Sequence, residues 1–592
     1  MKLHKIKTIL AVAAMGVLSQ SCLDLDPKDQ LAESNLWSSP SDFQLFANQF
    51  YSWTRDFGSL DNNSVKPLHS DYNSDLFTSR DDRNRFSNGS NSVQESDGNY
   101  GSCYAHIRRT NLLLQNAEKY SASADIAQYV GEAHFFRAYS YFDLLQFYGD
   151  AIIITQPLDV TSPELRVAQN DRSEVADFII EDLETAAPML PRFTELTTDD
   201  AGRISREGCW AFLSRVALYE GTWQKFRGNE ERGRELLDIA AKAAKQVIDS
   251  KAFSLFKPDA LKEKAQKYMF ILEDAKSNPA GIQKSANKEY VFARRYDESL
   301  APIGKNITKA NLINMVWVSR KFANMYLCQN GLPIYINGVK NAQFQEYATL
   351  TSEWENRDNR MRYTLAKPGD YFWNNSNPGC RLTWNDASDQ SNAAIKNFTP
   401  NSGTGYHNQK WASERLVKDN FEGFDYPIIR YAEVLLNYAE AKAELGECTQ
   451  EVLDQTVNEL RDRVEMPHLK VNVGFTDPNW PDYGYELSPL LYEIRRERAV
   501  ELVGEGFRWD DIVRWKAGKL LEAPKSMLGM KVSDKLKEQY DSFSRELTQD
   551  NLLIVYPDRT TRKWDDKLYL HPLPIDETTM NPNLLPNNPG WE

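Results

Sequence analysis

Apolar residues recur at helical spacing along most of the chain. From Tyr426 to Glu447, Tyr431, Val434, Leu435, Tyr438 and Lys442 share one face. Alanines 432, 439, 441 and 443 fill the others, and Gly446 stands where a C-cap belongs. The pattern predicts one helix there, a second over 451–463 and a third over LSPLLYEIRRERAVELVGEG, with Leu491, Ile494, Arg498 and Leu502 on one stripe. An arginine on an apolar stripe needs a carboxylate, and Glu501, Glu505 or a more distant acid can supply it. Gly504 and Gly506 end that helix, and Trp509, Ile512 and Val513 begin a short one that stops at Gly518.

The N-terminal half repeats the rhythm. Phe43, Phe46, Ala47 and Phe50 predict a first helix over 34–56, with Ser41 or Asp42 near its cap. A pair follows over 103–119 and 124–148, stopped at Gly149-Asp150. A further pair spans 172–189 and 205–220, with Ser205 as N-cap and Gly221 as stop, and one more helix covers 233–250. From about 258 to 425 the rhythm is lost, Gly, Pro and Asn rise, and extended pieces such as EYVFARRY appear. The expected fold is mostly α: helix pairs in 22–257, an irregular loop-rich subdomain over 258–425, and a helical 426–592 that packs back on the first part.

Met1 to Ser21 reads as a secretory signal. Lys2, Lys5 and Lys7 precede a ten-residue apolar run, Ile9 to Leu18, too short to span a bilayer. Ser21-Cys22 resembles a lipobox, so Cys22 is the expected lipid attachment point, although Leu18 lies four residues before it and Gln20 is large for its place. A net charge of −14 disfavours nucleic acid as a partner. Cys103, Cys209, Cys328, Cys380 and Cys448 are far apart and form no CxxC, which favours buried thiols over a disulfide framework. The histidines have no zinc-ligand spacing, and no G-x-S-x-G elbow or phosphate-binding glycine loop occurs. No cofactor or metal is therefore expected. With 84 carboxylates, a glycosidase pair stays open.

Aromatic residues also occur where no helical stripe calls for them. Residues 367–411 hold Tyr371, Phe372, Trp373, Trp384, Tyr406 and Trp411 among Asn374, Asn375, Asn385 and Asp386, and Tyr296 follows Arg294 and Arg295. A sugar offers an apolar C–H face and a rim of hydroxyls. An aromatic ring covers the first, and Asn, Asp or Arg takes the second. Tyr296, Tyr371, Trp373 and Trp384 are thus candidate glycan contacts; the competing reading is that such rings fill the subdomain's own core.

The stretches FFRAYSYFDLLQFYGDAIII, GRISREGCWAFLSRVALYEG, RRERAVELVGEGFRWDDIVRW and LYLHPLPIDETTMNPNLLPNNPGW together resemble the SusD/RagB family of surface glycan-binding lipoproteins. The acidic LDLDPKD after Cys22 is similar to surface-export signals of Bacteroidota lipoproteins. The resemblance implies a tetratricopeptide-like scaffold, a lipid anchor on the outer membrane, no catalysis, and delivery of an oligosaccharide to a SusC-like TonB-dependent transporter. It also implies that the polar loop over 57–100 lies near the glycan, which adds Tyr72, Asp75 and Arg80 as candidates. The alternatives are the same fold binding peptides, as RagB-like members do, and a surface glycoside hydrolase.

Overall fold

A computed structural model describes residues 37–57, 71–79, 91–308, 316–349, 351–367, 371–372, 380–381, 403–415, 420–522, 528–538, 544–557 and 563–592. The elements used below, in chain order, are α1 (Pro40–Asn48), β1 (Phe77–Ser79), α2 (Gly98–Ala117), α3 (Ala127–Tyr148), α4 (Arg172–Met189), α5 (Arg206–Lys225) and α6 (Glu230–Ser250). They continue with β2 (Tyr290–Arg294), β3 (Val316–Val318), α7 (Arg320–Ala323), β4 (Tyr426–Arg430), α8 (Tyr431–Glu444), α9 (Val457–Arg463), α10 (Pro489–Leu502) and α11 (Arg508–Arg514).

The helices begin where a side chain can satisfy their open N–H groups. Ser39 and Asp42 make a capping box on α1, Asp171 and Glu174 make one on α4, and the Ser205 and Ser488 hydroxyls accept from Gly208 and Leu491. The pairs α2/α3 and α4/α5 stack in series, α5 lies along α6, and α8 packs against both α6 and α10. This is a tetratricopeptide-like scaffold in which each pair buries the face its neighbour exposes.

The first helix is shorter than expected, α1 giving way to a 3-10 turn over Gln49–Trp53, and three further elements differ from the sequence expectation. Gly221 does not stop α5, which runs to Lys225. A Cβ on Gly221 would sit 3.0 Å from the Leu237 backbone nitrogen, and one on Gly233 would sit 2.9 Å from the Gly221 carbonyl. The two glycines thus let α5 and α6 approach backbone to backbone. The helix expected from Tyr426 starts only at Tyr431, because residues 426–430 form β4 and pair antiparallel with β2, Tyr290 opposite Arg430 and Arg294 opposite Tyr426. Pro427 lacks the N–H that either ladder would use, and Ile428 and Ile429 favour a pleated strand. The helix expected over 451–463 breaks at Thr456 into Gln450–Asp454 and α9.

The arginine-rich α10 is the hub of a buried ionic cluster. Arg498 is paired by neither Glu501 nor Glu505; its Nε lies 3.0 Å from both Asp511 oxygens, and its Nη1 donates to Asn437 at 2.9 Å. Glu501 instead meets Arg430 at 2.8 Å and Arg360 at 3.2 Å, and also Arg463, while Glu505 meets Arg430 and Lys410, both at 2.6 Å. Arg360 lies in the 258–425 segment, Arg430 in β4, Arg463 on α9 and the glutamates on or just after α10. One charge cluster therefore binds the irregular segment to the scaffold. Beside it a separate apolar core joins Phe77, Val318, Phe322, Tyr326, Trp354 and Tyr406 to Val500 and Val503.

Candidate functional site

The polar stretch SDYNSDLF looks like a surface loop in sequence, but its two aspartates fold inward. Asp71 accepts from the backbone N–H of Gly504 at 2.6 Å and of Arg508 at 2.9 Å, capping the turn between α10 and α11. Burial raises its carboxyl to about 6, against the pull of those N–H groups. Asp75, four residues on, is fully buried between Arg508, at 2.8 and 3.0 Å, and Lys321, at 2.8 Å. Burial alone would raise it, but the two cations outweigh burial and hold its carboxyl well below the usual range. Asp75 is therefore corrected from a candidate glycan contact to an internal tether, because both its oxygens are committed and no part of the carboxylate faces solvent.

That tether aims β1. It pairs antiparallel with β3, Phe77 opposite Val318 and Ser79 opposite Val316. In this register the chain leaves β1 toward residue 80 at the same end at which it enters β3 from residue 315. The segment 403–408 lies on the other side. Trp317 bridges to His407, Val318 donates its N–H to the Tyr406 carbonyl at 3.0 Å, and the Thr404 hydroxyl donates to the Val318 carbonyl at 2.7 Å. Gly403 lies on the Trp317 indole with φ +55°; a Cβ there would fall 1.9 Å from the ring, so only glycine closes this contact. One described flank of each of two aromatic- and Asn-bearing stretches, residues 77–79 before 80–90 and residues 403–408 after 382–402, thus joins the same three-segment ribbon. Its back rests on the apolar core described above. Asp71, Trp317, Gly403 and Thr404 position this ribbon and were not singled out in the sequence; the signal available was the glycine pair in SGTGY.

The candidate residues divide accordingly. Tyr72 lies in the 3-10 turn Asp71–Asn73, next to the Asp71 cap. Tyr371 begins a two-residue antiparallel ladder, opposite Arg381. Arg80, Trp373, Trp384 and Cys22 lie outside the described residues. Tyr296 is half-buried away from the ribbon: its ring is 5.7 Å from Phe57 and 6.0 Å from the Arg294 guanidinium, and its N–H donates to Asp425 at 2.8 Å. Burial pushes its phenol up to about 12. Phe57, Trp411 and the Gly504 turn separate it from Phe77. Tyr406 and Trp411 are core residues: the Tyr406 hydroxyl meets Glu353 at 2.8 Å, and Trp411 donates to the Gly504 carbonyl at 3.1 Å.

Among the described residues no group of three or more His, Cys, Asp or Glu could hold a metal ion, and no helix is long and apolar enough to cross a membrane. Cys103, Cys209 and Cys328 are buried free thiols, and Cys448 is a half-buried one.

A sequence profile described as the SusD family matches residues 279–591, and a second, described as starch-binding associating with outer membrane, matches residues 23–218. SusD-like protein P38 of Formosa agariphila is 23% identical over 547 residues, covering 86% of this chain and 90% of that protein. SusD-like protein P2 of the same organism is 25% identical over 501 residues, covering 82% and 79%. The crystal structure of a SusD-like carbohydrate binding protein from Bacteroides fragilis matches with a TM-score of 0.69 at 22% identity, over 93% of this chain and 99% of that one. Surface glycan-binding protein A from Bacteroides fluxus matches with a TM-score of 0.55 at 18% identity, over 93% and 100%. At these identities the solved structures share the fold.

Proposed function

The chain belongs to the SusD family, and from that premise we propose that it captures an oligosaccharide outside the outer membrane and passes it to a SusC-like TonB-dependent transporter. What supports this reading is that one flank of each of the stretches 80–90 and 382–402 joins the β1–β3 ribbon. The second stretch bears Trp384, and Tyr371 and Trp373 lie just before it. The Asn and Asp residues around them suit a hydroxyl rim, and the indoles suit a sugar's apolar face. The reading needs no catalytic group: the chain binds and hands on. Cys22 supplies the lipid anchor, with residues 1–21 removed as the signal.

A glycan array with the purified full chain identifies the ligand class, set against a peptide panel. Trp373→Ala and Trp384→Ala then test the site. A stacked aromatic contributes about 1–2 kcal/mol, so each loss weakens binding roughly tenfold at unchanged melting temperature. Wild-type affinity in both variants would remove the platform from 371–384, and selective peptide binding would replace the glycan. The transporter reading predicts copurification with a large outer-membrane β-barrel after mild detergent extraction; a lone chain, with the barrel present in the same extract, counts against it.

A further inference from the structure

We propose that the cleft between α7, the 477–484 loop and the 518–522 turn is a separate site for an uncharged pyranose ring, with Trp480 as its stacking face. The cleft has a volume of about 370 Å³, within the range of small-ligand pockets. Nothing in the sequence stripe of α10 requires a tryptophan at 480, yet the structure fixes this one in place. Its ring lies 4.7 Å from Tyr492 and within 6° of parallel, and Phe475 flanks it at 6.2 Å. Its Nε1–H donates to Glu493 at 2.7 Å, and Glu493 is itself gripped by Arg496 at 3.1 Å. The ring is half-buried, and it borders the cleft. An indole backed by a ring and locked through its nitrogen has little orientational freedom left to lose on binding.

The polar rim determines the ligand class. Asn324 and Asn479 line the cleft side by side, the Asn324 amide reaching the Asn479 oxygen only at a long 3.5 Å while the Asn479 amide donates to Asp477 at 3.2 Å. The Asn324 Oδ1 is enclosed in the protein, so what this side chain offers the cleft is its amide N–H pair. An amide N–H pair so weakly engaged, beside an aromatic face, is what a ring of hydroxyls needs. The cations lining the cleft are already engaged. Lys519 pairs with Asp482 at 2.6 Å, Lys321 with Asp75 at 2.8 Å, and Arg320 donates to the Tyr406 hydroxyl at 3.2 Å. A carboxylated or sulfated sugar would find no cation that is not already bonded, whereas a neutral ring asks for none. Lys321 also connects the two sites, since the aspartate it holds is the one that aims β1.

This site rests on the reading that the chain binds glycans, but not on the 371–384 residues. The test uses the full chain labelled with 5-fluorotryptophan, with Trp480→Phe assigning the residue-480 resonance in the fluorine NMR spectrum. Methyl glycosides of glucose, galactose, mannose and xylose serve as neutral probes, and sodium glucuronate as the charged one. The residue-480 signal should move saturably with at least one neutral glycoside, with a dissociation constant on the order of 1–10 mM. Asn324→Ala should weaken that response about fivefold to tenfold while the other tryptophan resonances keep their positions. A residue-480 signal unmoved by all four glycosides, or moved more by glucuronate than by methyl glucoside, overturns the proposal. The Trp373 and Trp384 resonances, assigned in the same way, report on the other site independently.

Discussion

Glu501→Gln isolates what the buried ionic cluster contributes. The Glu501 carboxylate is fully buried and meets Arg430 at 2.8 Å, Arg360 at 3.2 Å, Arg463, and the Gln266 amide at 2.9 Å. Glutamine keeps the volume and deletes one charge, leaving three buried guanidiniums with one counter-ion fewer. Removing one partner from a buried ion pair costs about 3–5 kcal/mol. With an unfolding entropy of about 2.1 cal/mol/K per residue over 592 residues, that lowers the melting temperature by about 2–4 °C. The exposed pair Asp238–Lys242 provides the control, because Asp238→Asn should cost no more than about 0.5 kcal/mol. Burial would raise the Glu501 carboxyl, but Arg463, Arg430 and Arg360 outweigh it and hold it well below its ordinary range. Its stabilisation is therefore present above the unfolded value near 4.3 and is lost as pH falls through the folded value. The gap between wild type and Glu501→Gln should be full at pH 7 and close in acid. Melting curves followed by circular dichroism at several pH values test both parts. A variant that melts at pH 7 together with Asp238→Asn, or a gap that widens in acid, refutes the reasoning.

Glu422 should behave in the opposite sense. Burial raises its carboxyl to about 7, although it accepts from the N–H groups of Ile307, at 2.5 Å, and Thr308, at 3.0 Å. Its contribution is complete below the unfolded value near 4.3 and lost as pH rises through about 7, so wild type should lose up to about 3 kcal/mol across that window relative to Glu422→Gln. Parallel pH profiles for the two proteins would contradict this. Cys22→Ala should abolish labelling by a fatty-acid probe in cells, and equal label in wild type and variant would sink the anchor.

How much of this was legible in the sequence depends on the range of the interaction that settles each residue. Helical stripes and caps are local, so α3, α4, α8 and α10 could be read from a window of a few turns, and Ser205 from its position alone. The strand β4 could not. YPIIR is a short apolar run that fits either period, and what makes it a strand is β2, more than a hundred residues earlier in the chain. Asp75 is the extreme case. Next to Tyr72 and Arg80 it reads as a solvated loop residue, and only the fold brings Arg508 against it. The same holds for Arg498, whose partner lies one helix further on, at Asp511. Aromatic residues fail in a different way, because composition cannot separate a ring that packs from a ring that binds. Tyr406 and Trp411 have the same polar neighbours in sequence as Trp384, yet both are buried and their polar atoms are taken by Glu353 and the Gly504 carbonyl. Trp480 shows what composition lacks. Its indole N–H is satisfied inside the protein while the ring still borders a cleft, and that combination, rather than an abundance of aromatics, marks a residue prepared to meet a ligand.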